Sequence, residues 1–295
     1  MLAPMIEQQP HLANEYAVVP SSLATLTGRA LGIDIGGTGI KAAVVNVESG
    51  QLVSERIRQP TPQPPTPDAV LDVVVDVVRQ LELTGILTPD LPAGAGFPSV
   101  IRSGQAMTVT HGEQAWVGMP VQGLLSQRLG RPVVVLNDAD AAGVAEIAYG
   151  AGHGHAGVVL LLDLGTGIGS ALFIDGQLVP NLQLGHIEFH GRDAETRVSP
   201  AARSRRNIGW KKWGREFNEL LAAYEDYLWP DLIILGGGLA KDFSKYQKFL
   251  RTKAPLVPAA MGNGAGIIGA ARVGANVGPA SEPPGPWDGL ATESS

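Results

Sequence analysis

Ala30-Leu31-Gly32-Ile33-Asp34-Ile35-Gly36-Gly37-Thr38-Gly39-Ile40-Lys41 opens the patterned part of the chain, and Val158-Val159-Leu160-Leu161-Leu162-Asp163-Leu164-Gly165-Thr166-Gly167-Ile168-Gly169-Ser170 reads the same way further along. Each copy is an apolar run of strand length, an acidic residue, a turn of glycine and threonine, and a second apolar run. Lacking a Cβ, glycine lets a turn approach a phosphate closely, and the exposed amides then bind its oxygens. One copy alone is equally well read as a plain tight hairpin. Two copies, beginning about half the folded body apart and each followed by helical patterning, predict two similar α/β lobes around a cleft. The turns would then clamp a phosphoryl chain from both sides. The first is not a P-loop, since the Gly-Lys-Ser/Thr ending is missing, nor does a helix follow it directly as in a dinucleotide site.

Working outward, Ala42–Val47 and Leu52–Ile57 read as strands of a meander after the first turn. Pro67 can start a helix whose apolar spacing runs through Val70, Leu71, Val74, Val77, Val78 and Leu81. Strands follow at 93–97 and 132–136, with helices at 119–129 and 138–149. After the second hairpin, which closes at Asp175-Gly176, a helix is expected over 213–228, a strand over 232–235 and a final helix over 265–273. Residues 1–28 carry no clear period and read as a loose N-terminal tail. Pro279, Pro283, Pro284 and Pro286 among Ser, Glu and Gly mark residues 278–295 as a disordered tail by composition.

Bulk composition removes several function classes. The 295 residues are 44% hydrophobic, enough for a full core, and 22 Lys+Arg against 28 Asp+Glu give a formal charge of −6. That balance argues against wholesale nucleic-acid binding, which needs a basic face. With no cysteine in the chain, disulfides, iron–sulfur clusters and thiolate zinc sites are excluded. No apolar run approaches a membrane span, and the N-terminus does not read as a signal peptide, so a cytoplasmic protein is expected.

The candidate functional residues fall into five groups. Asp34, at a strand end before Gly36, Gly37, Thr38 and Gly39, can hold Mg²⁺ through water. Thr38 adds a hydroxyl donor, and Lys41 follows the turn. Gly165, Thr166 and Gly167 form the matching turn. Asn137-Asp138-Ala139-Asp140 sits where a buried strand meets a helix, and ligands of α/β sheets gather at such strand ends. Capping of the helix by Asn137 or Asp138 is the simpler use of these residues. Beside two phosphate turns, a carboxylate that takes a proton from an attacking sugar hydroxyl is the better reading. Gly185-His186-Ile187-Glu188 offers an imidazole and a carboxylate to vicinal sugar hydroxyls. A metal site including His190, Asp193 and Glu195 ranks below that, because the spacing is irregular. Gly236, Gly237 and Gly238, between a buried strand and a helix, make a floor for a nucleotide or phosphate chain. Finally, Arg203, Arg205, Arg206, Lys211 and Lys212 form the one dense basic run. Such runs are usually solvated faces. The alternative is a track for a polyanion.

In order and spacing, residues 31–41, 137–143, 163–170, 185–188 and 236–239 resemble the ROK family of sugar kinases and repressors. Thr61-Pro62-Gln63-Pro64, Leu136–Gly143, Tyr149–Gly152, Leu164–Ala171, Trp229-Pro230-Asp231-Leu232 and Val257-Pro258-Ala259-Ala260 resemble its polyphosphate glucokinase branch, which includes polyphosphate/ATP glucomannokinases. The resemblance covers about residues 30–275. It implies a two-lobed, actin-like (ribonuclease H-like) α/β fold with a cleft between lobes. The small lobe would be 29–137, closed by a C-terminal helix 265–277, and the large lobe 138–264. It implies a glucokinase that uses Mg²⁺, draws its phosphoryl group from polyphosphate, ATP or both, is a homodimer and binds neither DNA nor membrane. Asp138 then matches the catalytic base and Asn137, His186 and Glu188 the sugar ligands. The glycine turns match the phosphate and donor sites. Two positions depart from the branch pattern near the sugar pocket: Ser99 stands where glycine is usual, and His111 where asparagine is usual. The cysteine-rich zinc motif of many ROK proteins is absent, as in this branch, so no zinc is expected. A sugar-responsive repressor is the competing class, but the roughly 30 residues before the first strand show no helix-turn-helix pattern, and Asp138 is retained. A sugar-binding protein without turnover is a third.

Overall fold

The computed structural model describes residues 28–109 and 113–276. The expected tails and His111 lie outside the described residues. The first quoted stretch folds into β1 (Arg29–Ile35) and β2 (Ile40–Asn46), an antiparallel hairpin that sets Asp34 opposite Lys41. A single strand over 52–57 was expected. Instead β3 (Gln51–Leu52) and β4 (Ile57–Gln59) pair separately with β2. Between them the chain bends at Ser54, whose hydroxyl accepts the Val44 N–H at 2.9 Å in place of a ladder bond. Helix α1 (Pro67–Glu82) begins with proline in its first turn, where the missing N–H costs nothing, and buries all six predicted apolar residues. Full burial of each is worth roughly 1.5–3 kcal/mol. There follow β5 (Ala93–Phe97), the small hairpin β6 (Ile101–Arg102) and β7 (Gln105–Ala106), α2 (Val121–Leu129), β8 (Val133–Asn137) and α3 (Asp138–Tyr149).

The second stretch forms β9 (Val158–Leu164) and β10 (Ile168–Ile174), extended by β11 (Gln177–Val179). A short hairpin, β12 (Glu188–Phe189) and β13 (Arg192–Asp193), leads to α4 (Ala194–Val198), α5 (Pro200–Arg205) and the long α6 (Trp210–Leu228), which starts three residues before the predicted Trp213. Then come β14 (Leu232–Gly236), α7 (Phe243–Tyr246), β15 (Leu256–Pro258) and α8 (Ala265–Gly274). The glycine turn at 236–238 leads into the expected helix, which starts as a 3₁₀ turn, Gly238–Asp242, and continues as α7.

The two sheets correspond strand for strand. Their orders are β3-β2-β1-β5-β8 and β11-β10-β9-β14-β15, each an antiparallel hairpin followed by two parallel strands. The duplication extends to the helices: α3 follows β8 and α8 follows β15. These two helices pack on one another, and α8 lies on the sheet of the first lobe while α3 touches both sheets. Four apolar clusters result, one of them between α8 and β1 and β2. Of the other three, one lies under α1 and α2, another under α6, and the third joins Leu136, Ala141, Val144 and Ile147 to Val159, Leu161, Phe173 and Ile234 of the second sheet. Close approach of α3 and α8 requires Gly269, because a Cβ there would overlap the Ala141 carbonyl. Among the described residues no helix is long and apolar enough to cross a membrane.

Candidate active site

Parallel strands β1, β5 and β8 end side by side, and β9 and β14 end together in the other lobe. Their carboxyl ends carry Asp34, Asn137-Asp138, Asp163 and the 236–238 turn. The charges of Asp34, Asp138 and Asp163 act on one another, so residues far apart in sequence form one acidic centre between the lobes.

Local chemistry fixes each of them. Asn137 caps α3: its Oδ1 accepts the Ala139 and Asp140 N–H groups at 2.9 and 3.2 Å. Its Nδ2 donates to the Ser99 carbonyl at 3.1 Å. The capping expected as the simpler use is therefore present, and it holds the following residue, Asp138, at the mouth of the strand. One Asp138 oxygen accepts the adjacent Ala139 N–H at 2.9 Å. Burial, then the charges of Asp163 and Asp34, raise its carboxyl to about 7. Burial and then Asp34 raise Asp163 to about 6, with Lys41 opposing. Asp140, behind them, is pushed up to about 7 by burial; one oxygen accepts the Asn181 N–H at 2.9 Å and the other is buried without a partner.

The first glycine turn is closed by the Gly36 N–H on the Gly39 carbonyl at 3.1 Å. Asp34 makes an ion pair with Lys41 at 2.8 Å. Arg58, brought alongside by β4, donates to the Thr38 carbonyl at 3.1 Å, and a Cβ on Gly39 would stand 2.8 Å from its guanidinium. At the second turn Glu195 accepts the Ile168 N–H at 2.8 Å, and its carboxylate fills the space where a Gly167 side chain would stand. Gly237 has φ +73°, and a Cβ there would overlap an Asp163 oxygen and the backbone of Leu164. The 236–238 turn thus sits directly on the acidic centre.

The remaining expected residues are less gathered. His186 bonds Asp193 at 2.8 Å, and Glu188 lies opposite Asp193 in the β12–β13 ladder, exposed to solvent. Ser99 is buried, its hydroxyl tied to Thr108. The basic run is not an open row. The Arg203 guanidinium lies 3.6 Å from the centre of the Trp210 ring, Arg205 donates to the Thr196 carbonyl at 3.0 Å, and Arg206 pairs with Glu216 at 2.6 and 2.9 Å. Lys211 and Lys212 are exposed. Two contributors escaped the sequence reading, Asp163, treated only as a marker of the second unit, and Arg58; Glu195 was read only as part of a lower-ranked metal site. Nothing local marks Arg58, which reaches the turn only through the Lys41–Arg58 pairing of β2 and β4.

Duplicated hairpins facing one another across a pair of packed helices, with glycine turns at the cleft, are the build of the actin-like class of two-lobed α/β proteins. Within that class the chain belongs to the ROK family, whose family model matches residues 30–197. It is 41% identical to the polyphosphate glucokinase of Mycobacterium tuberculosis over 249 residues, 84% of this chain and 92% of that protein. The polyphosphate glucokinase of Mycobacterium leprae is 37% identical over 282 residues, 90% of this chain and 85% of that one. Among solved structures, the inorganic polyphosphate/ATP-glucomannokinase of Arthrobacter sp. strain KM is 45% identical, with a TM-score of 0.80 over 83% of this chain and 97% of that chain. A ROK family glucokinase from Streptomyces griseus shares the fold at a TM-score of 0.70 and 24% identity, over 84% of this chain and 99% of that one.

Proposed function

We propose that this chain is a glucokinase that transfers a phosphoryl group from inorganic polyphosphate or ATP to the 6-hydroxyl of glucose. The observation that carries the reading is Asp138: a carboxyl at a strand end, raised to about 7, between two glycine turns. A base of that strength is matched to neutral pH, where it is available ionised yet holds a proton well. In the mechanism, Asp138 accepts the proton of the sugar hydroxyl as it attacks phosphorus. The amides of the turns at 36–39 and 165–167 bind the oxygens of the donor, and Lys41 and Arg58 add positive charge beside the first turn. Asn137 acts through Asp138, since its own amide is engaged by the helix cap and Ser99. His186 and Glu188 face the sugar hydroxyls, with Ser99 and His111 modulating which hexose is preferred.

Among the described residues no three His, Asp or Glu side chains form a ready-made metal cage. Mg²⁺ does not need one, because it is commonly held by one or two carboxylates, phosphate oxygens and water. Asp34 and Asp163 fit that donor set and would hold it, Asp34 through water. Bound there, the ion would supply positive charge to offset that of the donor.

Initial rates of glucose 6-phosphate formation with polyphosphate and with ATP, each against glucose and several other hexoses, test the proposal. Sugar-dependent consumption of at least one donor is expected. Sugar binding without any turnover would move the chain to the sugar-binding regulators of the same family.

A further inference from the structure

β13, α4 and the end of α5 enclose a cavity of about 270 Å³ lined by Arg192, Thr196, Arg197 and Arg206. Three guanidinium groups therefore meet in one pocket. Glu216 pairs with Arg206, and that pairing holds the Glu216 carboxyl below its ordinary range. Arg192 has no such partner, and Arg197 acts on Glu216 only through its charge, without a hydrogen bond to it. Arg192 is exposed with no hydrogen-bonded or ionic partner among the described residues. Arg197 lies 5.6 Å from the centre of the Phe189 ring, and its Nε is buried without an acceptor. Arg206 also donates to the Arg197 carbonyl at 2.8 Å, which fixes the wall. The pocket offers directed N–H donors and excess positive charge, and a buried donor without an acceptor is the feature a bound oxyanion would relieve.

Its place in the chain says which oxyanion. Thr196 follows Glu195, whose carboxylate holds the Ile168 N–H and packs on Gly167 of the second glycine turn. The segment that supplies most of the cavity lining, 192–197, thus also touches the second glycine turn through Glu195. We propose that the cavity binds phosphate groups, and that its occupant is the part of a polyphosphate chain beyond the group being transferred. This rests on the reading of the chain as a polyphosphate-using kinase. A nucleotide has no anionic group beyond its own three phosphates, so the pocket would add little to ATP. Of the basic run at 203–212, only Arg206 lines the cavity; Arg192 and Arg197 come from before it.

The test is calorimetric titration of orthophosphate and tripolyphosphate into the full chain and into Arg192→Gln and Arg192→Gln/Arg197→Gln, at fixed ionic strength. Michaelis constants for long-chain polyphosphate and for ATP are measured alongside. Arg79→Gln, an exposed change on α1 in the other lobe, controls for net charge. The unaltered chain should bind tripolyphosphate more tightly than orthophosphate. Each arginine lost should weaken that binding roughly tenfold, the size of one charge-assisted hydrogen bond. The ratio of the polyphosphate constant to the ATP constant should rise to match, and Arg79→Gln should change neither. Unchanged tripolyphosphate binding in the double variant, or equal effects on both donors, would overturn the proposal. Equal binding of orthophosphate and tripolyphosphate, lost together, would make the cavity a single-phosphate site and overturn its extension along a chain. If the unaltered chain turns over neither donor, the kinase reading fails, while the titration still decides whether phosphate binds here.

Discussion

At the scale of single residues, the proposed chemistry rests on Asp138, and its surroundings make two separable demands on it. Replacing it with asparagine keeps the shape and the hydrogen bond to Ala139 but removes the proton acceptor. Turnover should fall about 10²–10⁴-fold, with glucose affinity by calorimetry nearly unchanged. A carboxyl raised to about 7 in the fold and near 4 when unfolded also binds its proton more tightly in the folded state. Its ionisation therefore lowers stability as pH climbs from about 4 to about 7. Asp138→Asn should accordingly melt at a higher temperature than the parent at pH 8, and rates within a few-fold of the parent would rule Asp138 out as the base. The pH profile follows from the same cause. The value of kcat/KM should rise with pH through an apparent midpoint near 7, and Asp163→Asn, which removes a like charge, should move that midpoint down. A midpoint that stays in place would mean burial alone sets it. Asp34, Asp138 and the glycine residues of this centre were legible because each lies in a short motif at a strand end, whereas Asp163 was read only as the mark of the second unit. Arg58 was not legible, Glu195 was read only as part of a lower-ranked metal site, and Arg192 and Arg197 of the cavity were not singled out. They reach the site through strand pairing and a hairpin, and no local pattern records which distant segment a side chain will meet.

At the scale of elements, the sequence reading placed most strands and helices, since the periods of two and 3.6 are written in the apolar residues themselves. It missed the break at Ser54, where a side-chain hydroxyl substitutes for the ladder, and it did not tell that the helix after the 236–238 turn starts as a 3₁₀ turn before α7. It also could not tell that α3 and α8 are equivalent helices packed on one another, because a small-residue face does not name its partner. Gly269 is the point of that contact. Gly269→Ala would improve helix propensity by about 1 kcal/mol. Overpacking against the Ala141 carbonyl should cost more, on the order of 1–3 kcal/mol or above. Net destabilisation is expected in denaturant titration, and since α3 carries Asp138 at its first turn, activity should fall as well. A variant more stable than the parent would show that the helices separate at no cost.

The whole molecule is two copies of one plan, joined where each copy's last helix meets the other's. α8 covers the first sheet: Ile267 and Ala271 pack with Ala30, Ala43 and Val45 of β1 and β2. The residues that close the first lobe therefore come at the far end of the described chain, and the lobe is not a continuous piece of sequence. That has a consequence for how the protein is made. A ribosome releases the first hairpin long before α8, so while the chain between them is made one face of the first sheet lacks the helix that covers it. Apolar strand surface left open in this way invites pairing with other chains. A version ending at Gly264 should hold that condition permanently and collect in the insoluble fraction, even though it retains every glycine turn and carboxylate of the centre. Completion of the last helix, rather than of the catalytic segments, is thus the event that commits the newborn chain to its fold.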